Sequence, residues 1–284
     1  MTVRECRQKA KEMLSTPLGD DEATTVTDIL LSHYLKTERS LLLAHLDDDV
    51  PNISPIQLSD AINKLGAGVP VQYIIGSCWF YGMEVKVGPG CSIPRRDTEI
   101  LAEAAIAILK KGGSFVELCA GSGCVSMAIA ENVKGVRGTA AELSLKAMPY
   151  MEANLEKYQQ IKIKRVDVLD PEDLRALADE WGEGFDLLVC NPPYIPTAAI
   201  PGLDIQVQYE PEMALDGGEN GLKYYRYIIA NADLIMKDKH RILFEVGIGQ
   251  ASLVAQMLKS MGYAVAIFKD YGGIDRVVLG ERTF

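Results

Sequence analysis

The tetrapeptide Asn191-Pro192-Pro193-Tyr194 combines hydrogen-bond acceptors, a stiff backbone and an aromatic ring. Its two prolines remove backbone donors and fix φ, so the turn presents carbonyl oxygens. The Asn191 side-chain oxygen and the Pro192 carbonyl can accept both hydrogens of a planar NH2 group while the Tyr194 ring packs against its face. Such a nitrogen is a poor nucleophile, and this arrangement would aim its lone pair at an electrophile. The structural alternative is a proline-rich turn capped by the asparagine side chain.

A glycine-containing loop, residues 117–124, joins an apolar segment to a helix-like one. Gly121 and Gly123 let the backbone approach a ligand, and free amides at a helix start attract polar groups. Glu142 ends the next predicted strand, where an acid can accept hydrogen bonds from ribose hydroxyls. The pattern would also suit NAD, although Ser126 stands where that fingerprint has Gly or Ala. A simple strand–helix glycine turn is the structural alternative.

Strands and helices alternate from about residue 97, which predicts an α/β fold with a doubly wound, mostly parallel sheet of seven strands. The predicted strands are Ser114–Leu118, Gly138–Glu142, Ile161–Val168, Phe185–Cys190, Arg241–Val246, Ala264–Lys269 and Asp275–Leu279. The predicted helices are Glu99–Lys110, Val125–Ala130, Leu145–Tyr158, Pro171–Trp181, Tyr224–Met236 and Ala251–Met261. The last two strands have no helix between them, which indicates an antiparallel pair. The Asn191 turn then lies at the carboxyl edge of the sheet, where such folds bind ligands.

Residues 1–75 are predicted to form a small helical domain. Ser54-Pro55-Ile56-Gln57 has the form of a capping box, with a proline at the first helical position. Glycines and Pro70 then interrupt the helical pattern, and 79–87 alternates like a hairpin. We therefore expect a hairpin connector over 76–92 and a catalytic domain over 93–284.

Composition narrows the function classes further. The 284 residues carry 29 basic and 39 acidic side chains, and the net charge of −10 disfavours long nucleic acid and anionic membranes as partners. The six cysteines are dispersed without a C-x-x-C pair, which indicates free thiols in the cytoplasm and no metal site. The polar N-terminus and the lack of a long apolar run favour neither secretion nor membrane insertion.

Several further blocks make the chain resemble the release-factor glutamine methyltransferases, the HemK/PrmC family of S-adenosylmethionine-dependent enzymes. The blocks are Pro70-Val71-Gln72-Tyr73-Ile74-Ile75-Gly76, Phe80-Tyr81-Gly82, Ile93-Pro94-Arg95, Thr98-Glu99, Gly121-Ser122-Gly123-Cys124, Asn191-Pro192-Pro193-Tyr194-Ile195, Glu210-Pro211, Ala214-Leu215-Asp216-Gly217-Gly218, Gly221-Leu222, Glu245-Val246-Gly247, Gln250 and Asp275-Arg276. The resemblance covers nearly the whole chain. It implies a Rossmann-like fold and methylation of the amide nitrogen (N5) of the glutamine in the Gly-Gly-Gln motif of class I peptide release factors.

The resemblance also implies roles for individual residues. Ala120, Gly121 and Gly123 would surround the methionine moiety of the cofactor, and Glu117 would also belong to the cofactor site. Glu142 would hold the ribose, and Asp167 would approach the adenine. Asn191, Pro192, Pro193 and Tyr194 would hold the glutamine amide, with Asn191 also bordering the cofactor. Catalysis would be mostly positioning of the two reactants, without a metal.

The chain departs from the family pattern at a few positions. Glu117 and Glu142 stand where Asp is usual, so carboxylate chemistry is kept with one more methylene. Cys119 replaces a glycine, a residue suited to positive φ. Arg96-Asp97 replaces Pro-Glu, and Asn220 replaces Asp.

Other interpretations are compatible with parts of the sequence. Cys190 and Cys124 lie where a thiolate nucleophile is conceivable, and Asp97 with Glu99 form a candidate acid pair. Arg95 and Arg96 would either steer a partner or be solvated. The alternative enzyme is an amino-methyltransferase that acts on a nucleic-acid base, and the non-enzymatic alternative is a cofactor-binding interaction module.

Overall fold

The computed structural model describes residues 1–50, 54–109 and 112–283. Two compact units make up the chain. The first contains Met1–Ser77 together with a short later segment, Asp204–Tyr209, and the second contains Cys78–Leu203 and Glu210–Phe284. The later segment was not expected from the sequence. Lys110, predicted as the last residue of a helix, and Phe284 lie outside the described residues.

The first unit is helical, as the sequence predicts. Its helices are α1 (Val3–Leu18), α2 (Asp20–Leu35), α3 (Pro55–Gly66) and α4 (Val71–Ile75), with a 3-10 helix at Arg39–His45. The capping box that opens α3 is confirmed: the backbone nitrogen of Gln57 donates to the Ser54 hydroxyl over 3.2 Å, and Gln57 Oε1 accepts from the Ser54 nitrogen over 2.9 Å. Arg7 and Asp28 join α1 to α2 through two hydrogen bonds of 2.6 and 3.0 Å. The apolar faces of the helices share one core.

The later segment forms a single helical turn, Ile205–Gln208, within the first unit. The Tyr209 hydroxyl donates to the carbonyl of Ala67 over 3.1 Å, and Gln206 donates to Glu22 over 3.0 Å. Ile205 lies against Gly68, where an added Cβ would meet its side chain at 2.8 Å. These contacts explain why six residues far along the chain belong to the N-terminal helices.

The second unit is an α/β domain. Its strands are β1 (Ser77–Phe80), β2 (Met83–Lys86), β3 (Gly113–Leu118), β4 (Val136–Glu142), β5 (Ile161–Arg165), β6 (Phe185–Cys190), β7 (Met236–Glu245), β8 (Ala264–Lys269) and β9 (Asp275–Arg282). Its helices are α5 (Thr98–Leu109), α6 (Cys124–Asn132), α7 (Met148–Leu155), α8 (Pro171–Trp181), α9 (Lys223–Asn231) and α10 (Ala251–Ser260). Strands β1 and β2 form the predicted hairpin, which contributes Phe80, Val85 and Val87 to the core of this unit.

Within the described residues, the main sheet has seven strands in the order β5-β4-β3-β6-β7-β9-β8. Strands β3 to β7 pair in parallel, and β9 runs antiparallel to both β7 and β8. The predicted mostly parallel sheet and the antiparallel terminal pair are therefore confirmed. Apolar clusters lie on both faces of the sheet. No helix of the described ranges is both long and apolar enough to cross a membrane.

The prediction was wrong at one boundary, where the last residue of a predicted helix begins a strand. The helix expected to continue to Met236 ends at Asn231, and Met236 instead begins β7, five residues before the predicted strand start. The run Lys237–His240 is polar, which hides the strand from a reading of apolar alternation. The pairing of β6 with β7 shifts register between Phe185 and Leu187, so the polar residues lie at an irregularity of the ladder.

Candidate active site

The carboxyl ends of four neighbouring strands bring the predicted site residues to one edge of the sheet. In the pairing register, Leu118 of β3 lies beside Ala141 of β4 and Cys190 of β6, and Cys190 lies beside Phe244 of β7. The residues that follow directly are therefore neighbours across the edge. They are the loop after Leu118, Glu142, Asn191 and Glu245.

The loop after β3 turns through a left-handed residue. Cys119 has φ +56°, the conformation for which the family's usual glycine is suited, and a side chain there costs about 1–2 kcal/mol relative to glycine. The turn is held by the Ala120 nitrogen, which donates to the Ala141 carbonyl over 3.0 Å, and by the Gly123 nitrogen, which donates to the Ala120 carbonyl over 2.7 Å. The loop therefore keeps its hydrogen bonds with cysteine in place.

Glu142 lies directly against this loop. Its Oε2 accepts a hydrogen bond of 2.8 Å from the Gly121 nitrogen, and its Oε1 accepts one of 2.7 Å from the Ser144 nitrogen. Each carboxylate oxygen has a further lone pair available for a ligand hydroxyl. A Cβ added at Gly121 would meet no heavy atom within 4 Å, so open space borders the loop beside the carboxylate.

Glu117 is held beneath the loop rather than facing that space. Its side chain is buried, with 4% of the residue exposed, and Oε2 accepts a 2.7 Å hydrogen bond from the Ser126 nitrogen and a second one from the Ser126 hydroxyl. Burial raises the pKa of Glu117 to about 7, and the Ser126 hydrogen bonds oppose the shift. The carboxyl ties the end of β3 to the first turn of α6, and its predicted contact with a cofactor stays a prediction.

Asp167 follows β5 and caps its own turn. Its Oδ1 accepts from the Leu169 nitrogen over 2.9 Å, while its backbone nitrogen donates to Asp173 over 2.8 Å. These bonds end the strand at Arg165, earlier than the predicted Val168. The side chain is half-buried, and its role toward adenine stays a prediction.

The Asn-Pro-Pro-Tyr turn follows β6, the strand between β3 and β7. Both prolines are buried, whereas Asn191 and Tyr194 are half-buried. The Asn191 side-chain nitrogen donates to the Thr98 hydroxyl oxygen over 3.4 Å, which links the turn to the start of α5. Burial raises the pKa of Tyr194 well above its usual value, so its hydroxyl stays neutral.

Tyr194 is held by a side chain for which the sequence suggested no role. Gln250 Nε2 donates to the Tyr194 carbonyl over 2.9 Å and to the Gly221 carbonyl over 3.3 Å, while its Oε1 accepts from the Gly247 nitrogen over 3.0 Å. A Cβ at Gly221 would lie 2.2 Å from the Tyr194 carbonyl oxygen, and one at Gly217 would lie 2.7 Å from its Cα. Glycine is therefore required at both positions, because the backbone segments approach so closely.

The cysteines and acids that suggested a different reaction have buried surroundings or hydrogen-bond partners in the structure. Burial raises the pKa values of Cys190 and Cys124 well above the usual range, which disfavours a thiolate nucleophile. Asp97 forms an ion pair with Arg276 at 3.0 Å, and Glu99 accepts a hydrogen bond of 2.7 Å from the Tyr81 nitrogen.

Arg95 is bound to the buried carboxylate of Glu210, which also accepts from the Ser92 hydroxyl over 2.7 Å and from the Ile93 nitrogen over 2.9 Å. Arg95 therefore has a partner within its own unit. Across 1–50, 54–109 and 112–283, the structure contains no group of three or more His, Cys, Asp or Glu side chains that would hold a metal ion.

Three polar residues that contact or adjoin the Asn-Pro-Pro-Tyr turn had no role predicted from the sequence: Thr98, Glu245 and Gln250. All three occur in the blocks that carry the family resemblance, but they lie far from Asn191 along the chain and form no motif with it. Glu245 is 1% exposed at the end of β7, beside the Asn191 turn. A buried carboxyl in an otherwise apolar strand end is the one local signal that could have drawn attention to it.

Comparison with solved structures places the fold among the methyltransferases. A structure from Streptococcus mutans, described as a methyltransferase dependent on S-adenosylmethionine (SAM), aligns with a TM-score of 0.50 and 14% identity. The alignment covers 72% of this chain and 55% of that one. A second structure, described as a methyltransferase in complex with S-adenosylhomocysteine (SAH), aligns with a TM-score of 0.51 and 11% identity. It also covers 72% of this chain and 55% of that one. At this identity the similarity shows the fold, which is a Rossmann-like methyltransferase fold.

Comparison with known sequences gives the family. Residues 5–76 match the family described as PrmC N-terminal domain. The release factor glutamine methyltransferase of Clostridium acetobutylicum is 33% identical over 99% of both chains. That of Bacillus subtilis is 32% identical over 98% of this chain and 96% of its own length. The chain belongs to the release factor glutamine methyltransferase family.

Proposed function

We propose that this protein transfers a methyl group from S-adenosylmethionine to the side-chain amide nitrogen (N5) of the glutamine in the Gly-Gly-Gln motif of class I peptide release factors. The observation that carries the proposal is Asn191, whose amide nitrogen donates to Thr98 at the edge of the sheet that also bears Glu142 and the glycine loop. The Asn191 side-chain oxygen can accept a hydrogen bond from a substrate NH2 group, and the Glu142 carboxylate can accept hydrogen bonds from ribose hydroxyls. An acceptor site for an NH2 group next to a site for a ribose-containing cofactor suits methylation of that NH2 group. The names of the full-length relatives support the same substrate class.

The loop after β3 fits S-adenosylmethionine by its shape and donor set. The open space at Gly121 adjoins the Glu142 carboxylate, whose oxygens keep lone pairs for the two ribose hydroxyls. Ala120, Gly121 and Gly123 would border the methionine part, and Asp167 would border the adenine. When bound, the cofactor supplies a methyl group on a positively charged sulfur.

The residues of the turn would position the acceptor. Asn191 Oδ1 and the Pro192 carbonyl would each accept a hydrogen bond from one N–H group of the glutamine amide, and the Tyr194 ring would pack against the plane of the amide. Pro193 keeps the carbonyls in a fixed direction because its φ is locked. The nitrogen would then face the methyl carbon in line. As the new N–C bond forms, the S–C bond would break with its electron pair left on sulfur, and the nitrogen would release one proton to solvent. Rate enhancement comes mainly from this orientation.

Selection of one glutamine needs contacts away from the reacting nitrogen. We assign that task to the N-terminal helices, which contain none of the proposed cofactor- or amide-binding residues. Class I release factors act in translation, so the cytoplasm is the expected compartment. The net charge of −10 disfavours the alternative acceptor, a nucleic-acid base.

The proposal is tested with labelled S-adenosylmethionine and three acceptors: an intact class I release factor, the same factor with Gly-Gly-Ala in place of Gly-Gly-Gln, and RNA. Label should enter the first acceptor alone, and peptide mass spectrometry should place it on the glutamine side chain. Transfer to RNA would favour the nucleic-acid alternative. Equal labelling of the Gly-Gly-Ala factor would exclude the assigned acceptor atom.

A further inference from the structure

The Asn191 amide must present its oxygen to an acceptor NH2 group, and a free asparagine amide has no preference between its two orientations. The structure supplies a partner for the nitrogen end, since Nδ2 donates to the Thr98 hydroxyl oxygen over 3.4 Å. A hydroxyl can also donate, however, and would then favour the opposite orientation of the amide. Thr98 alone therefore does not fix Asn191.

Glu245 removes this ambiguity. It ends β7, the parallel neighbour of the strand that leads into Asn191, and it is 1% exposed. Its Oε2 is buried and has no hydrogen-bond partner among the described residues. Hydrogen bonding from the side chains of Thr98 and Asn191 opposes the rise in the pKa of Glu245, so both side chains lie within reach of its carboxyl group. An ionised carboxylate only accepts hydrogen bonds, so Thr98 directs its single proton toward Glu245 and offers a lone pair to Asn191. The nitrogen end of Asn191 then faces Thr98 and Glu245, and Oδ1 faces away from them.

We propose that Glu245 is a positioning residue which, both directly and through Thr98, fixes the orientation of the Asn191 amide so that its oxygen accepts the hydrogen bond from the substrate nitrogen. This inference rests on the proposed function, because it assigns that oxygen to the acceptor. Glu245 touches neither reactant in this scheme. It acts by excluding the orientation in which the Asn191 nitrogen would face the substrate NH2 group and repel it.

The charge state of Glu245 decides whether this mechanism operates. Burial raises the pKa of Glu245 to about 7, while hydrogen bonding from Thr98 and Asn191 and the positive charge of Arg276 oppose the shift. Below that pKa the carboxyl carries a proton and becomes a donor, which allows the Thr98 hydroxyl and the Asn191 amide to reverse.

The other titratable groups facing Glu245 are Asp97 and the hydroxyls of Tyr194 and Tyr225. The negative charge of Asp97 raises the pKa of Glu245. Arg276 is shared with Asp97 at 3.0 Å and Asp270 at 3.2 Å. The Tyr225 hydroxyl donates to the backbone carbonyl of Glu245 over 2.7 Å and so holds its backbone. Burial raises the pKa of both tyrosines well above their usual values, so their hydroxyls stay neutral while Glu245 titrates.

Kinetics of the full-length protein on a Gly-Gly-Gln peptide test the role. Thr98→Val keeps the shape of the side chain but removes the relay, and we expect kcat to fall ~10–100-fold with the Kd for S-adenosylmethionine unchanged. Thr98→Ser restores the hydroxyl and should recover most of the loss. A Thr98→Val enzyme with wild-type kcat, or a serine variant as impaired as the valine variant, would overturn the relay.

The pH profile supplies a second test that a merely structural role would not affect. Wild-type kcat should rise with pH through about 7 as Glu245 ionises. Glu245→Gln should retain partial activity and lose this rise, whereas Asp97→Asn should keep it. A profile unchanged in Glu245→Gln would overturn the proposal.

Amide NMR separates this inference from the proposed function, because it needs no methyl transfer. In protein labelled with 15N-asparagine, the Asn191 side-chain resonance, identified by its loss in Asn191→Ala, should titrate with Glu245 in the wild type and stay constant in Glu245→Gln. If titration is seen without peptide methylation, the proposed function fails while the coupling stands. If methylation is seen and Asn191 does not sense Glu245, the inference fails alone.

Discussion

Gln250 donates a hydrogen bond of 2.9 Å from Nε2 to the carbonyl oxygen of Tyr194, across 56 residues of sequence. The same side chain reaches the backbone of Gly221 and Gly247. One amide thus joins the Asn-Pro-Pro-Tyr turn to two other segments, the one at Gly221 and the one over 247–250. The turn is rigid because of its prolines, but its placement depends on this crosslink.

Gln250→Leu should therefore lower stability and turnover together. The substitution removes the partner of two carbonyls, those of Tyr194 and Gly221, and of the Gly247 nitrogen. We expect a cost of ~1–3 kcal/mol in the free energy of unfolding. Urea denaturation measures this cost, and Gln159→Leu on the exposed surface is the matched control. If the two variants unfold at the same urea concentration, Gln250 does not hold the turn.

The same crosslink shows what the sequence can and cannot predict. The strand–loop–helix pattern after β3 and the Asn-Pro-Pro-Tyr turn are local signals, and both were found where the pattern placed them. The seven-stranded, mostly parallel sheet also follows from the alternation of short apolar runs with helices. Contacts between segments that are far apart along the chain produce no local pattern in the sequence. Glu245 ends β7 and Gln250 follows it, and neither has a spacing relative to Asn191 that a pattern could reveal.

Two further differences have physical causes in the same sense. The polar run Lys237–His240 lies within β7 at a register shift of the β6–β7 ladder, where strict alternation of apolar and polar residues is not required. Asp204–Tyr209 joins the N-terminal helices through Tyr209 and Ile205, single side chains within an otherwise polar loop. The positive φ of Cys119, in contrast, is the conformation expected from the resemblance, which implies a glycine at that position.

Asn191→Ala should reduce turnover ~10²–10³-fold, the scale for loss of one preorganised polar contact to the reacting group. The affinity for S-adenosylmethionine should change little, because no contact of Asn191 with the glycine loop is required for binding. Single-turnover methylation and calorimetry measure the two quantities. Weak cofactor binding with normal turnover at saturation would contradict the role of Asn191 in holding the acceptor. Asn191→Asp keeps an acceptor oxygen and should be partly active.

Glu142→Ala should weaken S-adenosylmethionine binding by ~1–3 kcal/mol, since it removes charge-assisted hydrogen bonds to the ribose. It also frees the nitrogens of Gly121 and Ser144, to which the carboxylate is now bound. Glu142→Gln keeps one acceptor oxygen for these nitrogens and serves as the control for loop geometry. Calorimetry with S-adenosylmethionine and NAD gives both affinity and selectivity. Tight NAD binding without S-adenosylmethionine binding would refute the cofactor assignment.

Glu117 should make the protein less stable as pH rises from about 4.5 to about 7. The buried carboxyl keeps its proton up to a pKa of about 7, whereas the unfolded chain releases it near the ordinary glutamate pKa of 4.5. The folded state therefore binds more protons in this range, and the free energy of unfolding falls with pH.

Glu117→Gln removes this dependence, so the difference in unfolding free energy between variant and wild type should grow in favour of the variant by ~1–3 kcal/mol over the range. Urea denaturation at pH 5, 6, 7 and 8 measures it, and Glu183→Gln on the surface is the control. A constant difference across this series would mean that Glu117 is ionised throughout.

The last prediction concerns the N-terminal helices. A chain that begins at Cys78 keeps the hairpin, whose Phe80, Val85 and Val87 lie in the core of the second unit. It should bind S-adenosylmethionine with the full-length affinity and methylate a short Gly-Gly-Gln peptide at a similar slow rate. On an intact release factor it should lose most of the advantage in kcat/KM that the full-length protein has over the peptide, because the docking contacts are gone. Calorimetry on both chains controls for folding of the shortened one. Equal kcat/KM of the two chains on the intact factor would show that the helices stabilise the protein without selecting its substrate.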